Sequence, residues 1–200
     1  MTELLVASRN RKKLAELRRV LDGAGLSALT VVSLDSVAAP FKEAPETGAT
    51  FEDNALAKAR DAFTATGLAS VADDSGLQVA ALNGMPGVLS ARWCGGHGDG
   101  AGNTALLLAQ LRDVPDERRG AQFASACALV SAAGETVVRG EWRGSIGREP
   151  RGSGGFGYDP VFIPEGSDRT AAQLKPAEKD AASHRGRALA LLLPALRELA

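Results

Sequence analysis

Leu4-Leu-Val-Ala7 is a continuous apolar run that stops at Ser8-Arg-Asn10, which reads as a buried strand ending in a polar turn. From Arg11 to Leu21 the apolar residues Leu14, Leu17, Val20 and Leu21 fall at helical spacing, and Gly23 and Gly25 supply stop signals. Leu29 to Leu34 predicts a second strand, and Pro40 and Pro45 mark a long loop running to Glu46-Thr-Gly48. Phe51, Ala55, Leu56, Ala59 and Phe63 again have helical period, with Asn54, Lys58 and Asp61 on another face. Ala69 to Ala72 predicts a strand ending in the pair Asp73-Asp74, Leu77 to Leu82 a further extended piece, and Asn103 to Leu111 a helix. Ala121 to Ser131 and Thr136 to Trp142 flank Ala133-Gly134 as a hairpin. A glycine loop, Gly152 to Asp159, precedes a strand around Pro160 to Ile163, and Ser183 to Leu199 closes the chain as a helix with Pro194 as a kink. Strands alternating with helices, then a hairpin, predict an α/β protein with a mixed sheet.

Composition narrows the function classes. At 200 residues the chain can bury a core without disulfide help, and 44% hydrophobic with 24% charged residues is ordinary for a soluble protein. The formal net charge of −1 provides no field for a polyanion, which argues against a general nucleic-acid binder and leaves room for a small anion held by local cations. The two cysteines, Cys94 and Cys127, form no CxxC pair, and with two histidines in the chain a zinc site on Cys94 and His97 lacks ligands. No basic leader precedes the first strand, and no apolar run approaches the roughly 20 residues of a membrane helix. The expectation is a cytoplasmic protein without a membrane partner.

Several stretches carry candidate chemistry, each with a plainer account beside it. Adjacent carboxylates at a strand end are costly to desolvate without a neighbouring positive charge, which points Asp73 and Asp74 toward a divalent cation; an N-cap or Asx turn is the alternative. Ser8-Arg9-Asn10-Arg11-Lys12-Lys13 joins strand to helix, where backbone N–H groups and the helix end could receive a phosphate, or where Ser8 or Asn10 simply caps the helix. No P-loop pattern occurs. Gly152, Gly154 and Gly157 satisfy GxGxxG, but a strand-like segment follows where a dinucleotide fingerprint needs a helix. The loop then either delivers Phe156, Tyr158 and Asp159 to a ligand or is a tight surface loop. Ser183-His184-Arg185 opens the last helix, with Ser183 a candidate N-cap. No Gly-x-Ser-x-Gly elbow is present, and the aspartates are adjacent where a haloacid-type phosphatase needs them two apart.

Taken in order, Ser8-x-Asn10-x-x-Lys13, Glu46-Thr-Gly48 with Phe51-x-x-Asn54-Ala-x-x-Lys58, Ala72-Asp-Asp-Ser-Gly-Leu77, Pro86-Gly-Val-x-Ser90-Ala-Arg92, Gly155-Phe-Gly-Tyr-Asp-Pro160 and Ser183-His-Arg185 resemble the motif series of the inosine triphosphate pyrophosphatase family. These are house-cleaning enzymes for non-canonical purine nucleotides. The resemblance covers nearly the whole chain. Ser8 stands where threonine is common in the family, Leu89 where an aromatic is common and Trp93 where tyrosine is common.

The resemblance implies an elongated mixed sheet with flanking helices, two lobes around a central cleft forming one catalytic unit, and a homodimer. It implies Mg²⁺-assisted hydrolysis of dITP, ITP and XTP to the monophosphate and pyrophosphate. Glu46 and Asp74 would hold the metal, Asp74 would accept the proton of water, and Asp73 would assist. Lys13, Lys58, Ser75 and the segment Ser8, Arg9, Asn10, Arg11, Lys12 would bind phosphates. Phe156 would stack on the purine, with Gly157, Tyr158, Asp159, Lys179, His184 and Arg185 completing the substrate contacts. A pyrophosphatase for modified pyrimidine or methylated nucleotides, and a nucleotide sensor without catalysis, are the rival readings. Neighbours on a strand point to opposite faces, so one metal can take both aspartates only if the chain turns at Asp74-Ser75-Gly76.

Overall fold

The computed structural model describes residues 2–37 and 45–200, excepting the side chains of Arg11 and Lys12. Pro40, in the expected long loop, lies outside the described residues. The elements in chain order are β1 (Thr2–Val6), α1 (Arg11–Gly23), β2 (Leu29–Ser33), α2 (Phe51–Thr66), β3 (Ala69–Val79), α3 (Gly100–Gln110), β4 (Gly120–Ser131), β5 (Gly134–Ile146), β6 (Phe162–Pro164), α4 (Pro176–Ala182) and α5 (His184–Arg197). They build a six-stranded sheet in the order β2-β1-β3-β4-β5-β6. β1 pairs in parallel with both β2 and β3, whereas β5 and β6 are antiparallel, so the sheet is mixed as the strand pattern predicts.

The chain divides into two compact units: Met1–Asp74 with Ser125–Gly140 and Arg185–Ala200, and Ser75–Ala124 with Glu141–His184. In the first unit Leu4 and Val6 of β1, Leu14, Leu17 and Leu21 of α1, Val71 of β3 and Leu189, Leu192 and Leu196 of α5 share one core. Leu5 points the other way along β1 and is fully buried too, so both sheet faces are covered. In the second unit Leu77 and Val79, Leu107 and Leu111, Phe123, Trp142 and Phe162 form the core. Each such leucine or phenylalanine contributes about 2 kcal/mol by leaving water.

Local chemistry explains the element ends. α2 begins at a capping box in which the Asp53 N–H donates to Thr50 Oγ1 and the Thr50 N–H to Asp53 Oδ2, and it stops at Gly67 in the left-handed conformation. Three expectations need correction. β3 does not stop at Ala72 or turn at Asp74-Ser75-Gly76 but runs unbroken to Val79, and the piece expected to be extended through Leu82 becomes a 3₁₀ turn over Ala80–Leu82. Pairing to its neighbours outweighs the turn preference of Asp, Ser and Gly. A short helix that was not expected, α4 with Pro176 in its first turn, precedes the last helix, α5, which contains Pro194.

Candidate functional site

β1 lies between β2 and β3, so the connections leaving β1 and entering β3 run to opposite sides, the arrangement that opens a crevice at strand carboxyl ends. Val6 aligns with Val71, and the Ala7 N–H donates to the Val71 carbonyl at 2.8 Å. The polar turn after β1 and the aspartates of β3 therefore sit side by side within the first unit. Because β3 is unbroken, Asp73 and Asp74 face opposite sides of it.

On one side, Asp73 is 10% exposed and its Oδ1 is 2.9 Å from Lys13 Nζ. Its Oδ2 accepts from Arg185 Nε at 3.2 Å, and Arg185 Nη1 donates to Glu16 Oε2 at 2.9 Å. Burial alone would raise the Asp73 carboxyl, but Lys13 and Arg185 hold it well below the usual carboxylate range. Burial would likewise depress Arg185; Asp73 and Glu16 reverse that and keep it charged. Near them the buried Cys127 thiol is pushed up to about 12 by burial and by the charge of Asp73, which makes it an inert core thiol.

On the other side, Asp74 is held by α2. Asn54 and Lys58, one turn apart on that helix, donate to Asp74 Oδ2 at 3.0 Å and Oδ1 at 3.1 Å. Lys58 also donates to Glu46 Oε1, so two carboxylates converge on one ammonium. The Gly48 N–H donates to Asn54 Oδ1 at 2.7 Å, and a Cβ at Gly48 would stand 2.6 Å from that oxygen, so only glycine lets the Glu46 segment lie against the start of α2. Burial and the nearby charge of Glu46 raise the Asp74 carboxyl against the lowering by Lys58 and Asn54. Burial would lower Lys58, but Asp74 and Glu46 keep it raised.

Of the turn residues, the Ser8 hydroxyl accepts from the Asn10 N–H at 3.2 Å, a local turn contact, and exposed Arg9 pairs with Asp35 at 3.0 Å. The side chains of Arg11 and Lys12, expected at the phosphates, lie outside the described residues. Among the described residues no group of three or more His, Cys, Asp or Glu could hold a metal ion. Two carboxylates sharing one positive charge are nevertheless an oxygen donor set that suits Mg²⁺, which binds through one or two carboxylates and fills its remaining positions with water and phosphate.

The second unit holds its own set. Asp159 is 3% exposed, and its Oδ2 accepts from the Phe156 N–H at 2.7 Å and from Lys179 Nζ at 2.5 Å. Lys179 lies 5.2 Å from the centroid of the Phe156 ring, which is left 44% exposed. Gly155, at φ +73, is where a Cβ would collide with Asp159 Oδ2, so the glycine loop exists to wrap this carboxylate. Tyr158 is buried and donates to the Ser90 carbonyl at 2.9 Å, and burial raises its phenol. The Gly157 carbonyl accepts from Thr104 Oγ1 at 3.4 Å. His184 stacks on Phe123 with ring centroids 4.9 Å apart. Ser75 is half-buried on β3, and Ser183 bridges α4 and α5 with extended backbone.

Asn54 and Glu16 were outside the site predicted from sequence. The polar face of α2 signals Asn54, and the one-turn spacing of Lys13 and Glu16 is the signal for the other.

The chain is 82% identical over 200 residues to a dITP/XTP pyrophosphatase of Mycobacterium bovis, covering 100% of this chain and 98% of that protein. A crystal structure of the nucleoside-triphosphatase, dITP/XTP pyrophosphatase, of Mycobacterium abscessus is similar at 67% identity and TM-score 0.81, covering 98% of this chain and 100% of that one. A HAM1 protein of Coxiella burnetii superposes with TM-score 0.90 at 41% identity, covering 99% and 100%. The Ham1 family profile matches residues 4–195, across both units, and the chain belongs to that family.

Proposed function

We propose that this chain is a house-cleaning nucleoside triphosphate pyrophosphatase that hydrolyses dITP, ITP and XTP to the monophosphate and pyrophosphate. The observation that carries this reading is the setting of Asp74, a buried carboxylate oriented by Asn54 and Lys58 beside Glu46. The relatives named dITP/XTP pyrophosphatase supply the substrate class.

A triphosphate carries about four negative charges, so cations must meet it before a nucleophile approaches. Lys13 and Lys58 grip phosphate oxygens, with the backbone amides from Ser8 to Lys13 and the hydroxyl of Ser75; Arg9, Asn10, Arg11 and Lys12 complete that segment. Asp74, oriented by Asn54 and Lys58, accepts the proton of the attacking water. Glu46 and Asp74 are the residues that would hold Mg²⁺, which supplies charge neutralisation and acidifies bound water. In the second unit the exposed Phe156 offers a stacking face, with Lys179 already on one side of the ring. Gly157, Tyr158, Asp159, Lys179 and His184 are proposed determinants of the base, and Arg185 is a further proposed substrate residue. The chain is read as one catalytic domain, in a homodimer and in the cytoplasm. Among the described residues no helix is long and apolar enough to cross a membrane, and both cysteines are free thiols, as a reducing compartment requires.

Pyrophosphate release from dITP, XTP, dUTP and methylated nucleotides, with and without Mg²⁺, tests the reading. Mg²⁺-dependent release of pyrophosphate from dITP and XTP is expected. Binding without release would make the chain a sensor, and preference for dUTP or methylated nucleotides would reassign its substrate.

A further inference from the structure

We propose that Asp73 is a positioning residue, which fixes the phosphate-gripping Lys13 through the buried ion chain Lys13–Asp73–Arg185–Glu16 and takes no part in holding the metal. The proposal rests on the pyrophosphatase reading and refines the role of one carboxylate within it. Asp73 has the same strand parity as Val71, whose side chain packs among those of α1 and α5, and the opposite parity to Asp74. Its two oxygens are directed at cations from those two helices, 2.9 Å from Lys13 and 3.2 Å from Arg185.

Glu16 makes the arrangement a clamp. Lys13 and Glu16 lie one helical turn apart on α1, so the helix is held twice, directly by Asp73 and again through Arg185 at 2.9 Å. A lysine on its flexible stem loses rotamer freedom when it grips a phosphate, and restriction beforehand lowers that cost. Here the Lys13 side chain is 19% exposed and is anchored from the first turn of α1 to Asp73 of β3. Two anions balance two cations in the chain, and this balance separates positioning from simple charge. Asp73→Asn removes one negative charge from the site, so the field alone would tighten a polyanion, whereas loss of positioning loosens it.

The experiment uses tripolyphosphate binding by calorimetry and Mn²⁺ binding by electron paramagnetic resonance, neither of which needs turnover, at temperatures where each variant is folded. For Asp73→Asn the tripolyphosphate Kd should rise about tenfold, while the Mn²⁺ Kd stays within about twofold of wild type. The double variant Asp73→Asn/Lys13→Met should bind tripolyphosphate no more weakly than Lys13→Met alone, because one residue acts through the other. Lys13→Arg, which keeps the charge and alters the geometry at Asp73, should lose affinity as Lys13→Met does, and it decides the matter if Asp73→Asn does not fold. Loss of Mn²⁺ affinity as large as that of Glu46→Gln would make Asp73 a metal ligand and overturn the proposal. So would unchanged or tighter tripolyphosphate binding, or wild-type affinity in Lys13→Arg. If the wild type binds tripolyphosphate but releases no pyrophosphate from dITP, the catalytic reading falls and these titrations still decide the role of Asp73.

Discussion

Asp73 and Asp74 are neighbours in sequence and opposites in setting. Asp73 is engaged by two cations and driven strongly to its charged form, whereas Asp74 is engaged by one amide and by one lysine that it shares with Glu46, and its charged form is disfavoured. A carboxylate whose charge is compensated within the protein is suited to holding structure. One left short of positive charge is suited to accepting a proton or a cation. The pleat of one strand separates the two roles.

The largest expected effect is on turnover. Asp74→Asn should lower kcat on dITP by about 10³-fold, with a Tm equal to or above wild type in the absence of metal, because it removes a charge that burial disfavours. A kcat within about tenfold of wild type would break the comparison at its functional end. Asp73→Asn should instead be felt first in stability, since it strands buried Arg185 and Lys13; a cost of about 3–5 kcal/mol is expected at neutral pH, measured by denaturant unfolding.

The pH dependence sharpens the contrast. The folded-state proton affinity of Asp73 lies below its unfolded value of about 3.9, so its stabilisation is complete above that pH and is lost as pH falls through the folded value. The deficit of Asp73→Asn should therefore shrink below about pH 4. Asp74 is shifted the other way, so the folded state gains stability as pH falls through its raised value, and any advantage of Asp74→Asn at neutral pH should fade on acidification. Parallel deficits in the two variants would erase the distinction. The smallest effect is Glu16→Gln: its carboxylate is 21% exposed and Arg185 keeps Asp73, so a loss of about 1 kcal/mol, read as a Tm decrease of about 2–4 °C, is expected.

Much of the frame was legible in the chain. β1 and α1 follow from an apolar run and a helical period, and α2 from its apolar stripe, because burial acts on those patterns directly. The length of β3 was not legible, since Asp-Asp-Ser-Gly has turn chemistry and only the neighbouring strands keep it extended. α4 is short and polar, which leaves periodicity little to register. The motif series indicated Glu46, Lys58 and Asp74 together, whereas nothing local could place Arg185 on Asp73, 112 residues earlier, or Gly48 on Asn54. Contacts of that range belong to the packing of α1 and α5 on the sheet.

The unbroken course of β3 also sets how the gene for such a protein can change length. Inserting or deleting one codon between Val71 and Asp73 would exchange the two aspartates across the sheet, giving the Lys58 side the residue made for Lys13 and the reverse. A change of two codons would restore the faces while moving both groups along the strand. The two side chains are chemically the same, so what a change of length disturbs is where each carboxylate lies along the strand against its own lysine.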